Sequence, residues 1–163
     1  MLSQQKYTGS SILVEQPGDP RKMGGSNPHP CTSFQFRWAE KLYCQTGVYN
    51  KRWYIKTPWF SIRLHHWFHS DDARNFHDHP WSFVTIVLKG GYTDISPQGE
   101  QEMKVGSVAF RPALHRHTVK VNPGGCWSLV LTGPEFRKWG FWVKNKFKKA
   151  NKYFLEHGKH VCD

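Results

Sequence analysis

The feature that most limits the fold of this chain is a series of short β-type segments that begins at Arg52. The segments are RWYI, FSIRLHHWF, HPWSFVTIVL, GSVAFR, HRHTVKV, CWSLVLT and KWGFWV. Turn sequences such as Lys89-Gly90-Gly91 and Asn122-Pro123-Gly124-Gly125 lie between them, which is typical of antiparallel strands. No helical stretch of crossover length separates the segments, and parallel strands would need one. The pattern therefore predicts an all-β fold, an antiparallel barrel or sandwich.

The start of the chain differs from the rest in composition. Residues 1–33 are rich in Pro, Gly and Ser, so we expect an N-terminal arm with one edge strand at Ile12–Val14. Because 163 residues suit one domain with a core, residues 34–163 are predicted to form that single domain. Within it, Trp38 and Leu42 fall near one helical face, which favours a short helix from Trp38 to Gln45.

The end of the chain is basic and aromatic. Phe147, Ala150 and Phe154 fall on one side of a predicted C-terminal helix, with lysines around the rest. The formal net charge is +11, and eight of the 23 Lys and Arg residues lie between Arg137 and Lys159. This balance favours anionic partners.

Several classes of protein are excluded by what the sequence lacks. No apolar run approaches the ~20 residues of a membrane span, and the start has no secretory signal pattern, so we expect a cytoplasmic protein without a membrane segment. The four cysteines form no C-x-x-C pair, which argues against zinc ribbons. Nucleotide-binding loops, a serine-hydrolase elbow and H-E-x-x-H are absent too.

Histidines form the most informative cluster of the sequence. His77 and His79 are two residues apart, and residues at that spacing on a strand point to the same face. A further pair with the same spacing, His115 and His117, precedes another predicted strand. Three or four imidazoles could therefore meet inside a barrel and bind a metal ion.

This arrangement resembles the cupin superfamily, whose motifs read G-x5-H-x-H-x3-4-E-x6-G and G-x5-P-x-G-x2-H-x3-N. His77 and His79 fill the H-x-H, and Gly90 is the closing glycine. Gly106 and His117 keep the spacing of the second motif, together with Pro112. The strings HDHPW, GGYTD and RPALHRHTV are also similar to small cupin-like proteins of bacteriophages and actinobacteria. The resemblance covers residues 77–121 and implies a cupin-type β-barrel, a double-stranded β-helix or jelly roll.

The sequence departs from the motifs where the family has an acidic metal ligand, because Phe83 occupies the glutamate position. Leu114 and Val121 also replace the motif's glycine and asparagine. The resemblance then implies a metal site of His77, His79 and His117. Cupins with three-histidine iron sites include thiol and diketone dioxygenases, so we predict a non-haem Fe(II) dioxygenase acting on a small anionic, chelating substrate. Imidazole ligands leave Zn, Ni or Mn open as the ion.

Other residues are predicted to contact the substrate or support the ligands. Arg63 could bind a carboxylate if its face of the strand SIRLHHWF, shared with His65 and Trp67, looks inward. Trp81 and Phe83 share the face of the histidine pair and predict an aromatic floor that excludes water. His115 remains open as a residue of the barrel mouth, a substrate contact or a fourth ligand.

Asp78 lies between the two histidines of the H-x-H and should point to the opposite face. There it would make a hydrogen bond behind the ligands or at the surface.

Two non-oxidative alternatives are compatible with the same residues. The chain could be a binding module for a small ligand, or for nucleic acid through the basic C-terminal helix, where lysines would contact phosphates and rings would stack. It could also be a metal-free cupin similar to sugar epimerases. A homodimer is compatible with the sequence in each case.

Overall fold

The computed structural model describes residues 34–44, 47–71 and 74–158. The predicted arm at residues 1–33 lies outside these ranges. The described chain contains ten strands and one helix: β1 (Gln35–Cys44), β2 (Gly47–Lys56), β3 (Ser61–Trp67), β4 (Phe76–His77), β5 (Phe83–Ser96), β6 (Gly99–Lys104), β7 (Val108–Arg111), β8 (Thr118–Thr132), β9 (Gly140–Val143), β10 (Lys146–Lys149) and α1 (Ala150–His157). The architecture is all-β and antiparallel, with a short C-terminal helix, as the sequence predicts.

The strands form two sheets. The large sheet has seven strands in the order β1-β2-β3-β8-β5-β6, and β7 pairs with β5 beside β6. The small sheet has the order β10-β9-β4. Every strand pair in both sheets is antiparallel. The small sheet carries the start of the H-x-H pair on β4, while the large sheet supplies the inner wall of the barrel.

Two of the predicted turns are bends within long strands. Gly90 lies inside β5 at φ 71° and Gly125 inside β8 at φ 82°, next to shifts in the register of this strand pair. A Cβ atom on Gly90 would lie 2.0 Å from the carbonyl oxygen of Gly125, and one on Gly125 would lie 2.6 Å from that of Trp67. Only glycine tolerates both the left-handed backbone and this close approach. Each strand therefore continues through its glycines and bends there.

The predicted helix at residues 38–45 is wrong, because Gln35–Cys44 is the edge strand β1. Its backbone pairs with β2 along most of its length, and this hairpin overrides the weak helical spacing of the apolar residues. A register shift after Arg37 accompanies a positive φ of 56° at Ala39.

The C-terminal helix is confirmed from Ala150 onward, but Phe147 belongs to β10. Lys144 and Asn145 both have positive φ, which makes a tight two-residue hairpin between β9 and β10. Ala150 and Tyr153 are the buried residues of α1, and the Tyr153 ring stacks on Phe141 of β9 at 3.9 Å. The helix therefore packs against the small sheet. At eight residues it is too short to cross a membrane, and the rest of the described chain offers no helix of spanning length.

Candidate metal centre

Three of the predicted ligands lie together at the contact of the two sheets. His77 and His117 exchange both backbone N–H···O hydrogen bonds, each 2.9 Å long, and so form an isolated bridge between β4 and the residue that precedes β8. His79 follows two residues after His77, and its Nε2 lies 2.9 Å from Nε2 of His117. One ligand nitrogen from each of the three rings lies within 4.8 Å of the other two.

The chemistry of these rings fits a divalent metal ion. Burial, together with the neighbouring His77 and His117, lowers the pKa of His79 well below its usual value. The ring is therefore neutral at physiological pH and has a lone pair available. Two facing Nε2 atoms about 3 Å apart also suit Zn–N-type bonds of roughly 2 Å to one ion.

Carboxylates lie behind two of the three imidazoles. Nδ1 of His77 is 3.9 Å from Oδ2 of Asp71, and Nδ1 of His117 is 3.2 Å from Oδ2 of Asp94. The latter contact is electrostatic, since the His117 Nδ1 atom lacks a hydrogen bond of good geometry. Such outer carboxylates orient ligating rings and raise their basicity. Sequence reasoning missed both residues, although Asp94 could have been found as an acidic residue at an inward position of β5, two residues after buried Tyr92.

A second group of potential ligands, formed by Asp94, His115 and His117, overlaps the first. Here His115 Nε2 lies 3.1 Å from Oδ1 of Asp94, and the Arg111 Nε donates to Oδ2 at 2.9 Å. Burial opposes ionisation of Asp94, but hydrogen bonds from His115 and Arg111 and the nearby His117 outweigh it and hold its pKa below the usual range. Because a guanidinium already neutralises this carboxylate, the group suits a cation less well than the three histidines do.

Aromatic rings form the wall beside the histidines. The Trp81 ring stacks on His79 at 4.9 Å with an interplanar angle of 17°, and Phe83 meets His79 edge-on at 4.7 Å. Phe83 is also 6.2 Å from the His117 ring. It is buried, so the position of the motif's glutamate is filled by an apolar ring in contact with the imidazoles.

Arg63 points inward, which decides between the two faces of its strand. It is only 4% exposed; its Nε donates to Ser61 Oγ at 2.8 Å, and its guanidinium lies over the rings of Tyr54 and Trp81 at 5.1 and 5.0 Å. Arg63, Trp81 and Ser61 line a small pocket whose rim includes the ion pair of Lys56 with Glu135. Trp81 therefore contacts both the histidine cluster and this pocket.

His65, which the sequence places on the same face of its strand as Arg63, is a buried polar residue. It shares the inward face of β3 with Arg63, and neither of its ring nitrogens has a hydrogen-bond partner within the described parts of the chain. Burial lowers its pKa well below the usual value, and the Arg52 and Arg63 charges add to this effect. A neutral imidazole with two unsatisfied nitrogens is costly in an apolar core, so its surroundings favour a polar ligand.

Asp78 holds the strand segment that carries the H-x-H pair. It is fully buried; its carboxylate accepts hydrogen bonds from the Gly140 N–H and the Trp142 Nε1 and lies 3.0 Å from the Arg137 guanidinium. Arg137 also donates to the backbone carbonyl of His79 at 2.9 Å. The predicted hydrogen bond on the opposite face of the H-x-H pair is therefore present, and it anchors the ligand segment to β9.

The aromatic residues of the basic C-terminal part mostly contact groups of the protein itself. Arg116 lies 3.7 Å from the centroid of the Trp142 ring, Arg137 lies 5.3 Å from that of Phe147, and Lys148 pairs with Glu156. These contacts agree with a helix and hairpin packed on the barrel. Binding of nucleic acid through this part remains a prediction.

Comparisons with known proteins give the fold. No protein-family model matches the sequence, and no curated protein matches it. Among solved structures, the polyketide cyclase RemF from Streptomyces resistomycificus is similar with a TM-score of 0.52 and 17% identity, over 81% of this chain and 94% of that one. The DMSP lyase DddQ from Ruegeria pomeroyi DSS-3 gives 0.50 and 14%, over 64% of this chain and 58% of that one.

An RmlC-like cupin from Shewanella frigidimarina NCIMB 400 is similar at a TM-score of 0.46 and 18% identity, over 59% of this chain and 84% of that one. At these identities the likeness concerns architecture. The two structures with TM-scores of 0.50 and above, taken with the antiparallel topology, give this chain an all-β fold of the cupin type.

Proposed function

We propose that this protein is a metal-dependent cupin enzyme, a non-haem Fe(II) dioxygenase that acts on a small anionic, chelating substrate. The observation that carries the proposal is the convergence of His77, His79 and His117 at a position where the carboxylate of the family motif is replaced by Phe83. Bound Fe(II) would supply open coordination positions and one-electron chemistry with oxygen. Zn, Ni and Mn are the competing ions.

The charge of the ligand set favours an anionic substrate. Three neutral imidazoles add no negative charge, so a divalent cation between them keeps its full charge. Phe83 contributes none, and Asp94 is already neutralised by Arg111. A substrate that brings its own anionic donor, such as a thiolate, an enolate or a hydroxy-carboxylate, completes the neutralisation.

Arg63 and Trp81 give this substrate a place to bind. Arg63 is a buried cation that can pair with a carboxylate through two parallel hydrogen bonds. The Trp81 ring lies against both Arg63 and His79, so a molecule that reaches from the histidines to the guanidinium passes along this indole. Trp81 and Phe83 exclude water there, which strengthens each electrostatic contact.

His115 acts as a positioning residue in this proposal. Its Nε2–H donates to Asp94, which in turn faces Nδ1 of His117. The negative charge of Asp94 beside Nδ1 favours the tautomer of His117 that carries its proton there, so that Nε2 has the lone pair. Asp71 has the same relation to His77, and Val119 N–H donates to its carboxylate at 3.1 Å.

The first experiment measures metal content in protein purified without a histidine tag. We expect stoichiometric metal in the wild type and a loss of most of it in His77→Ala and His117→Ala. His157→Ala is the matched control, because its imidazole stacks on Tyr153 in α1, away from the site. Full metal content in both site variants would overturn the proposed ligand set.

The second experiment separates oxidation from binding. Protein loaded with Fe(II) is mixed with small thiols, diketones and hydroxy acids while oxygen uptake is recorded. Uptake that is lost in His77→Ala supports the dioxygenase. Bound metal without uptake would favour a binding module, whereas turnover of sugars by metal-free protein would favour the epimerase alternative. Salt-sensitive retention on DNA without oxygen chemistry would point to nucleic acid.

A further inference from the structure

The outer face of the large sheet carries two continuous rows of apolar side chains. Cross-strand partners share a face, so each row can be followed from strand to strand. The first row crosses six strands and consists of Phe36, Ile55, Ile62, Leu131, Val84 and Phe110. The second lies two residues further along each strand and consists of Trp53, Leu64, Leu129, Ile86 and Val108. We call these two rows the outer apolar face.

This face is open to solvent over an unusual area. Phe36 is 56% exposed, Val108 62% and Phe110 64%, and Ile62 in the centre of the sheet is 40% exposed. From these fractions, the most exposed six side chains leave on the order of 600 Å² uncovered, at or above the largest patch of a typical monomer. The remaining side chains bring the face close to the ~800 Å² that each partner buries in a standard protein interface.

The shape and charge of the outer apolar face suit a second copy of the same chain. Neither row contains a charged residue, so two faces can meet although each chain carries a net charge of +11. Its strands are paired, which leaves few free backbone groups to be desolvated. Two pleated faces pack about 10 Å apart with the side chains of one between those of the other.

The adjacent row supplies a polar rim. Lys51, His66, Trp127 and Lys89 follow one another across β2, β3, β8 and β5. Trp127 stacks on His66 at 4.2 Å, and Lys51 lies over the Trp53 ring at 4.9 Å. An apolar centre bordered by lysines and aromatic rings is the usual composition of a protein interface.

Residues 1–33 are a poorer cover for this face. They contain eight apolar residues, of which three form the longest continuous run, Ile12–Val14. A face of eleven apolar side chains spread over six strands needs more apolar surface than that. We propose that the outer apolar face binds the same face of a second copy, which makes the protein a homodimer with its metal centres inside the two barrels.

The test measures the mass of the full chain in solution by light scattering over a range of concentrations. We expect twice the chain mass of 19.1 kDa for the wild type. Ile62→Glu and Leu131→Glu place a charge in the centre of the face and should weaken the dimer by roughly a hundredfold or more, giving monomers. Leu155→Glu is the control, since Leu155 is 86% exposed on α1 and lies outside the face; it should remain a dimer.

Folding of the variants is checked by metal content and near-ultraviolet circular dichroism, and Phe110→Glu on β7 replaces any variant that fails this check. A wild type that is monomeric at every concentration would overturn the proposal. Such a monomer would be tested by limited proteolysis. If its N-terminal segment resists the protease in the wild type but is cleaved in Ile62→Glu, the outer apolar face is covered by residues 1–33. Dimers that persist in every folded face variant would overturn it as well.

Discussion

The two faces of the large sheet depart from the usual arrangement of an antiparallel sheet. Beside apolar core residues such as Phe83 and Val130, its inner face buries six polar residues, Ser61, Arg63, His65, Thr85, Ser128 and Thr132, while its outer face carries two rows of apolar side chains. Most such sheets bury the apolar face and leave the polar face in water. Burying polar groups costs free energy unless they have partners. This comparison supports the proposals that the inner face holds a polar ligand and that the outer face binds a second copy.

Of the substitutions considered, Gly90→Ala should disturb the separation of the inner and outer faces most strongly. The new Cβ would lie 2.0 Å from the Gly125 carbonyl oxygen, at a backbone φ of 71°. The bend of β5 against β8 must therefore move. If the strand pair slips by one residue in register, the side chains of the two faces exchange places. We expect a loss of about 3 kcal/mol or more in the free energy of unfolding, measured by chemical denaturation. Gly106→Ala has a similar φ of 84° with open space around it and should cost about 1 kcal/mol. Equal losses would show that the close approach is unimportant.

A pair of neighbouring substitutions compares the two faces directly. Val130 is buried on the inner face, in contact with Trp81 and Phe83, and Leu131 points outward. Val130→Asn should lower the free energy of unfolding by about 2 kcal/mol, because it removes packing and buries an amide. Leu131→Asn should change it by less than about 1 kcal/mol when measured at a dilution that keeps the chain monomeric. A larger loss at Leu131 would reverse the assignment of faces.

Phe83→Glu tests the role of charge on the inner face. If folded, the variant should retain metal and bind azide, a simple anionic probe, roughly tenfold more weakly, since the new carboxylate lowers the net charge of the site. Phe83→Leu keeps the site neutral and should bind azide like the wild type. Metal content and azide affinity are measured on the same samples. Unaltered azide affinity in a folded Phe83→Glu protein would show that charge at the metal does not select the ligand.

Arg63→Lys gives the smallest expected effect. The variant keeps the buried charge but loses the two parallel hydrogen bonds of a guanidinium, so affinity for a small dicarboxylate should fall by roughly tenfold or less while that for azide stays constant. Arg52→Lys is the matched control, because Arg52 is paired with Glu40 instead. The two affinities are measured by calorimetry. A parallel loss for both probes would mean that Arg63 acts on the metal centre as a whole.

Much of the centre was predicted by assuming the period of two of an extended strand, although β4 ends at His77 and residues 78–82 lie outside the strands. That period placed His77 beside His79 and Trp81 beside Phe83 before any strand partner was known. Asp94 was missed because its relation to His117 arises from the pairing of β5 with β8, which lie far apart in sequence. Asp71 was missed because it lies outside the strands, six residues before His77, where hydrogen bonds to Val119 hold it. In both cases contacts with β8, rather than any local pattern, bring the carboxylate behind its ring.

The errors in the fold have a common physical cause. The helix predicted at residues 38–45 was based on the spacing of a few apolar residues, but β1 has β2 beside it as a hairpin partner. Glycine pairs were interpreted as chain reversals, whereas Gly90 and Gly125 face each other in two strands that continue past them. Tertiary pairing decides both cases, and a single sequence does not show which segments are partners.

The reciprocal backbone bridge between His77 and His117 joins the small sheet to the large one, so any ion held by the three rings is shared by both layers. If the proposed metal ion binds at this centre, its binding and the docking of the β9–β10–α1 layer are thermodynamically linked. An ion that binds only the docked form stabilises that form in proportion to the logarithm of the ion concentration. Removal of the ion by a chelator would then weaken the docking of the C-terminal layer and its basic surface on the large sheet, although no residue of that layer is a metal ligand. The cellular supply of metal would in this way set how much of that surface is held in one conformation.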